Sequence, residues 1–178
     1  MKILIIGASG NGTTTLAGEI AKNSAFTHLD ADNYYWKKTE VPFTEKESLQ
    51  DRNDHLKSDL SKVENAVVSG SLISWGHEWK SYFDLVVFIY LPNAIRMQRL
   101  RQREQQRYGE KLITDDLTRR NSEAFLTWAE QYDDPDFTGR SFKIQEQWLR
   151  EVSGTVIWLE GELELEEKVE EVFNHINQ

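Results

Sequence analysis

An α/β fold built on a parallel sheet is the architecture this sequence predicts, and two observations carry it. Short runs of β-branched and other apolar residues alternate with longer amphipathic stretches, the pattern of repeated strand-helix-strand units. The first run, Met1-Lys2-Ile3-Leu4-Ile5-Ile6, also passes straight into a glycine-rich turn and then a helical pattern. Five strands are expected, at residues 2–6, 26–30, 65–69, 85–91 and 155–160, with helices between them and ELELEEKVEEVFNHINQ closing the chain. Residues 33–60 are polar and rich in charge, and residues 108–140 carry the turn signals of YDDPDFTG. Both read as insertions over one edge of the sheet, inside a single domain. In open α/β sheets ligands bind beyond the carboxyl ends of the strands, so the residues just after each strand are where chemistry is to be sought.

Composition narrows the class. A chain of 178 residues buries a core without metal or disulfide staples, and this one has no cysteine. A cysteine-free chain that starts directly in a strand is expected in the cytoplasm, without a signal peptide. The longest apolar run, residues 83–91, falls well short of the roughly 20 residues that span a bilayer, so no membrane partner is expected. The net charge of −9 argues against sequence-independent nucleic-acid binding, which draws its affinity from a basic face.

The turn after the first strand reads GASGNGTTTLA. Gly7, Gly10 and Gly12 let the backbone turn tightly with its amides inward, and the following helix adds free N–H groups and the positive end of its dipole. The dinucleotide fingerprint G-x-G-x-x-G does not fit this spacing. The phosphate-loop pattern G-x-x-x-x-G-K-[ST] does, with Gly7, Gly12 and Thr14 in place, and in it the Thr14 hydroxyl ligates Mg²⁺. Thr13 stands where that pattern has lysine. Losing one preorganised donor to a developing oxyanion costs about 2.7–4 kcal/mol, but backbone amides still bind phosphate.

THLDADNYYW places Asp30 and Asp32 at the end of the second strand, on the same side by strand alternation. One acid can hold a metal through water while the other accepts the proton of an attacking hydroxyl. Capping or turn carboxylates are the competing reading. Tyr34, Tyr35 and Trp36 either pack or wall an acceptor pocket beside these acids. The third strand ends in Ser69-Gly70-Ser71, small residues that admit a ligand or a second backbone, with Trp75-Gly76 soon after. Ser69, Ser71 and Trp75 join the expected acceptor site, whereas Trp79, Trp128 and Trp148 read as core filling. No acid closes this strand, which leaves the metal to Asp30 or Asp32.

Arg96, Arg99, Arg103 and Arg107 recur at steps of three and four along NAIRMQRLRQREQQRYG, hence on one helical face with only Glu104 to offset them. Such a stripe either binds phosphoryl oxygens through paired guanidinium donors or is solvated and acid-paired. Arg119, Arg120, Arg140 and Lys111 are further candidates.

Taken in order, GASGNGTTTLA, HLDADNYYW, SGS with WG, and RMQRLRQREQQRYG resemble the small P-loop kinases of the nucleoside monophosphate and shikimate kinase-like group. The likeness is greatest to bacterial adenylate kinase-like or topology modulation proteins. The resemblance implies the three-layer P-loop NTPase sandwich, with a five-stranded parallel sheet in order 2-3-1-4-5. It also implies an acceptor-binding insertion at 33–60 and an arginine-bearing lid at 108–140. Gly7, Ala8, Ser9, Gly10, Asn11, Gly12, Thr13, Thr14 and Thr15 would hold ATP phosphates, and Thr14 and Asp30 the Mg²⁺. Asp32, Arg103 and Arg107 would be catalytic, and Asp32, Tyr35, Trp36, Ser69, Ser71 and Trp75 would bind the acceptor. Two departures stand out. The D-G-[FY]-P-R run of adenylate kinases is replaced by Ser69-Gly70-Ser71-Leu72, which argues against AMP, and the loop lysine is missing. The expected function is ATP-dependent phosphoryl transfer to a nucleotide or small hydroxyl compound. The alternative is a nucleotide-binding sensor or switch with little catalysis, as Thr13 allows.

Overall fold

The computed structural model describes residues 1–39 and 42–176. β1 (Lys2–Gly7) is the middle strand, and its Ile3, Leu4, Ile5 and Ile6 are fully buried, as a strand covered on both faces requires. α1 (Thr13–Lys22), β2 (Thr27–Asp30), the short α2 (Asp32–Tyr35), α3 (Leu49–Lys62) and β3 (Ala66–Ser69) follow. A 3₁₀ turn at His77–Ser81 leads into β4 (Leu85–Tyr90), α4 (Asn93–Tyr108), α5 (Lys111–Thr114) and α6 (Asp116–Glu130). After a second 3₁₀ turn at Gln131–Asp133 come α7 (Phe142–Leu149), β5 (Thr155–Glu160) and α8 (Leu165–Ile176).

The strands form one all-parallel sheet in the order β2-β3-β1-β4-β5. Leu4 and Ile6 face one side with Val68, Val86 and Phe88, where Leu56 and Leu60 of α3 and Trp148 and Leu149 of α7 pack. Ile3 and Ile5 face the other with Val67, Val87 and Ile89, against Leu16, Ala17 and Ile20 of α1 and Val172 of α8. Strand alternation in the sequence thus becomes three layers.

The two polar stretches are more helical and more integrated than their composition suggests. Residues 33–60 hold most of α2, a loop closed by an antiparallel bridge between Trp36 and Lys46, and most of α3; residues 40 and 41 lie outside the described residues. α3 does not sit over an edge: an apolar stripe through Leu56 and Leu60 anchors it on the sheet face. Residues 108–140 contain α5 and α6, and α6 packs on α4 through Met97, Leu100 and Ala129, with Phe125 and Trp128 alongside. Among the described residues no helix is long and apolar enough to cross a membrane.

Candidate functional site

Because every strand runs the same way, the ends of β1 and β2 open on one side. Gly10 and Gly12 adopt left-handed φ angles of +90° and +89°, which an L side chain rarely takes. At Gly7 a Cβ would lie 2.6 Å from the Ile89 carbonyl oxygen, so only glycine lets the loop descend beside β4. Gly12 caps α1 without a side chain and the first turn holds no acid, leaving the first amides of α1 facing an uncompensated cradle. Asn11 braces the loop with its side chain. That side chain is 1 % exposed and donates to the Ile89 carbonyl from beneath the loop. The loop is held again at Gly7, whose carbonyl accepts from Gln145 Nε2 at 3.3 Å, while Gln145 Oε1 accepts from the Tyr132 hydroxyl.

A cleft of about 560 Å³ opens over this loop. Gly7, Ala8, Ser9, Gly10, Gly12, Thr13, Thr14 and Thr15 line it from below. Asp30 lines it from the end of β2 and Asp32 from the start of α2, joined by Asn33, Phe43 and Gly70. Thr14 Oγ1 donates to Asp30 Oδ2 at 3.2 Å, and the Asp32 amide donates to Asp30 Oδ1 at 3.0 Å. Asp30 is therefore aimed at the loop hydroxyl by its own neighbour. The Asp32 carboxyl is pushed above the usual carboxylate range by the protein walls around it and by the Asp30 charge; Arg140, Arg103 and Arg107 pull the other way.

The arginine stripe divides. Arg99, Arg103 and Arg107 line the cleft. Arg103 sits 5.3 Å from the Phe125 ring and Arg107 5.1 Å from that of Phe43. Burial and the neighbouring Arg107 charge lower the Arg103 pKa from its usual value, although guanidinium stays protonated in water. Arg96 is fully buried and binds Ala129 O, Asn93 Oδ1 and Asp133 Oδ2, each at 3.2 Å, so it ties α4 to the end of α6. Of the further candidates, Arg119 and Arg120 are neutralised by Asp116, and Arg119 also by Glu123, on the surface of α6. Arg140 comes to the loop itself: its Nη2 donates to Ser9 Oγ at 2.8 Å.

Of the six expected acceptor residues, Asp32 alone lines this cleft. Ser69 is fully buried with its hydroxyl 2.9 Å from His28 Nε2, because β3 is sandwiched between β2 and β1. Trp75 is 2 % exposed; it stacks on Tyr35, meets Trp79 edge to face, and its carbonyl accepts from Asn53 Nδ2 at 2.7 Å. It is core filling, as Trp79 and Trp148 are. Ser71, Tyr35 and Trp36 are half-buried and absent from the cleft wall. Trp36 instead packs its edge against Phe43, the aromatic that does reach the cleft, in a left-handed conformation with φ +63°. Behind Tyr35 lies Arg52, 9 % exposed, its guanidinium 4.7 Å from the Tyr35 ring and 5.0 Å from the Trp75 ring. Among the described residues it has no acid partner, and its Nε is buried and unbonded. Sequence reading passes over Phe43, Asn33 and Arg52; their only signal is membership of the 33–60 stretch.

The AAA domain family matches residues 3–125. The Bacillus subtilis (strain 168) uncharacterized protein YqaC is 40 % identical over 175 residues, covering 98 % of this chain and 97 % of that protein. Cytidylate kinase 2 of Borreliella burgdorferi is 30 % identical over 126 residues, covering 63 % and 67 %. Among solved structures, shikimate kinase from Bacteroides thetaiotaomicron superposes with a TM-score of 0.60 at 18 % identity, covering 100 % of this chain and 99 % of that one. Deoxyadenosine kinase from M. mycoides, with bound dATP, gives 0.59 at 17 % identity and covers 100 % of both. The chain belongs to the AAA domain family and, within the P-loop fold, to the nucleoside monophosphate and shikimate kinase-like group.

Proposed function

We propose that the chain is an ATP- and Mg²⁺-dependent phosphotransferase acting on a small acceptor, a nucleotide or a hydroxyl compound. The observation that carries the reading is the continuous line from open loop amides through Thr14 and Asp30 to Asp32, facing arginines across one cleft. When bound, Mg-ATP supplies the γ-phosphoryl group, which passes to the acceptor oxygen as ADP leaves. The loop from Gly7 to Thr15 holds the phosphates through its amides. The Thr14 hydroxyl and Asp30 carboxylate are hard oxygen donors, the chemistry Mg²⁺ prefers, and would hold it together with phosphate and water. Among the described residues no three acids or histidines cluster as a metal cage, which agrees with a metal shared with substrate.

Asp32 takes the acceptor proton, and its raised pKa makes it a stronger base than an ordinary aspartate. Arg103 and Arg107 neutralise the charge of the transferring group. In this reading the whole chain is one catalytic domain acting in the cytoplasm, residues 33–60 receive the acceptor, and residues 108–140 serve as the lid. Neither a membrane nor nucleic acid takes part.

The test is purified protein with Mg-ATP and a panel of nucleosides, nucleoside monophosphates and small hydroxy acids. Acceptor-dependent ADP release is expected. ATP binding without any such release would replace this reading with the sensor or switch that Thr13 also permits.

A further inference from the structure

We propose that Arg140 supplies, from the segment after α6, the positive charge that Thr13 omits from the phosphate loop. The inference rests on the phosphotransferase reading of the cleft. Arg140 Nη2 donates to Ser9 Oγ at 2.8 Å, and among the described residues it is the one arginine hydrogen-bonded to a loop residue. Its guanidinium lies 5.0 Å from the Trp128 ring, and its Nε is buried without a partner. A planar cation that rests one face on a ring, is bonded once to the loop, and among the described residues keeps its buried Nε unpartnered offers donors to an anion.

Its electrostatic surroundings point the same way. Burial lowers the Arg140 pKa, and the first group opposing that shift is Asp32, the carboxylate across the cleft. Arg140 and Asp32 line the same cleft, and Arg140 is the one bonded to the loop at Ser9. Arg99, Arg103 and Arg107 also line the cleft, but they spring from α4, and Arg103 and Arg107 lean on Phe125 and Phe43.

The segment bearing Arg140 is tethered to the same loop. Tyr132, eight residues earlier, donates to Gln145 Oε1, and Gln145 Nε2 donates to the Gly7 carbonyl at 3.3 Å. The segment bearing Arg140 is therefore tied to the loop backbone through Gln145, which Tyr132 holds in turn, and this gives Arg140 some of the preorganisation a loop lysine obtains from its position in sequence. A lysine restored at position 13 would meet a like charge already in place.

The experiment compares wild type, Arg140→Ala, Thr13→Lys and the double variant, by calorimetric binding of Mg-ATP and Mg-ADP and by turnover with the best acceptor. Arg140→Ala is expected to lower kcat about 100- to 1,000-fold. It is also expected to weaken ATP at least tenfold more than ADP, since the missing cation faces the terminal phosphate. Thr13→Lys alone changes kcat less than about threefold, whereas in the Arg140→Ala background it restores at least tenfold. Arg103→Ala is not rescued by Thr13→Lys. If the alanine variant does not melt cooperatively, Arg140→Gln keeps a planar donor between Ser9 and Trp128 without charge, and the same comparison decides.

Unchanged ATP-over-ADP preference in Arg140→Ala or Arg140→Gln overturns the assignment, as does failure of Thr13→Lys to restore turnover in the Arg140→Ala background when the wild type is active. A wild type without acceptor-dependent turnover overturns the phosphotransferase reading instead, and the ATP-over-ADP comparison still decides for Arg140.

Discussion

Thr14 Oγ1 donates to Asp30 Oδ2 across 3.2 Å, joining the hydroxyl that ends the loop to the acid that ends β2. Sixteen residues separate them in sequence, and the parallel sheet closes the gap. If this pair holds Mg²⁺, Asp30→Asn raises the Mg²⁺ concentration for half-maximal activity by about 10- to 100-fold. ATP affinity measured without the metal stays within about threefold, since the amides that hold the phosphates are untouched. Titration of activity against Mg²⁺, beside metal-free binding, checks both halves.

Asp32 gives a pH prediction with two separable parts. Its folded pKa lies above the ordinary aspartate value of 3.8, so the native state binds the proton more tightly than the unfolded chain. That contribution to stability is complete below the unfolded pKa and is lost as pH rises through the raised folded value. At neutral pH the ionised carboxylate is therefore a cost, and Asp32→Asn raises Tm there, with the gain fading in acid. Activity moves the opposite way. The acid limb of kcat follows deprotonation of Asp32 and vanishes in the asparagine variant together with most of the rate.

Trp75 separates packing from recognition. Fully enclosed between Tyr35 and Trp79, it is expected to cost about 3–5 kcal/mol of unfolding free energy when replaced by alanine, read from urea denaturation. A tryptophan that bound the acceptor would instead raise the acceptor KM with stability intact.

Arg103 and Arg96 come from the same stripe and predict different losses. Arg103→Ala lowers kcat by about 100-fold or more and leaves the melting transition near wild type, because the side chain faces the cleft. Arg96→Ala lowers stability first, since it leaves Asp133 and the Ala129 carbonyl without their donor. Thermal melting with steady-state kinetics on the two variants distinguishes them.

What sequence could and could not reveal follows from how local each feature is. Ile3 to Ile6 announce a strand covered on both faces, and the loop glycines announce their own turn, because a few consecutive residues decide both. Nothing local tells Trp75 from a pocket residue. Its burial comes from α3, through Asn53, and from the 3₁₀ turn that bears Trp79. Arg96 shares its spacing with Arg99, Arg103 and Arg107, yet the start of α4 runs beneath the end of α6 while the cleft receives the rest. Phe43 reaches the cleft through a loop closed between Trp36 and Lys46. Arg140 meets Ser9 across 131 residues, a separation at which spacing carries no signal.

The phosphoryl-transfer reading stands or falls most directly on where the γ-phosphorus goes. Phosphorus NMR of the full chain with Mg-ATP and each acceptor in turn follows it without coupling enzymes. The expected result is a new phosphoester or phosphoanhydride resonance on one acceptor, growing in step with ADP and absent in Asp32→Asn. Growth of inorganic phosphate alone, or an unchanged ATP spectrum with every acceptor, would contradict it.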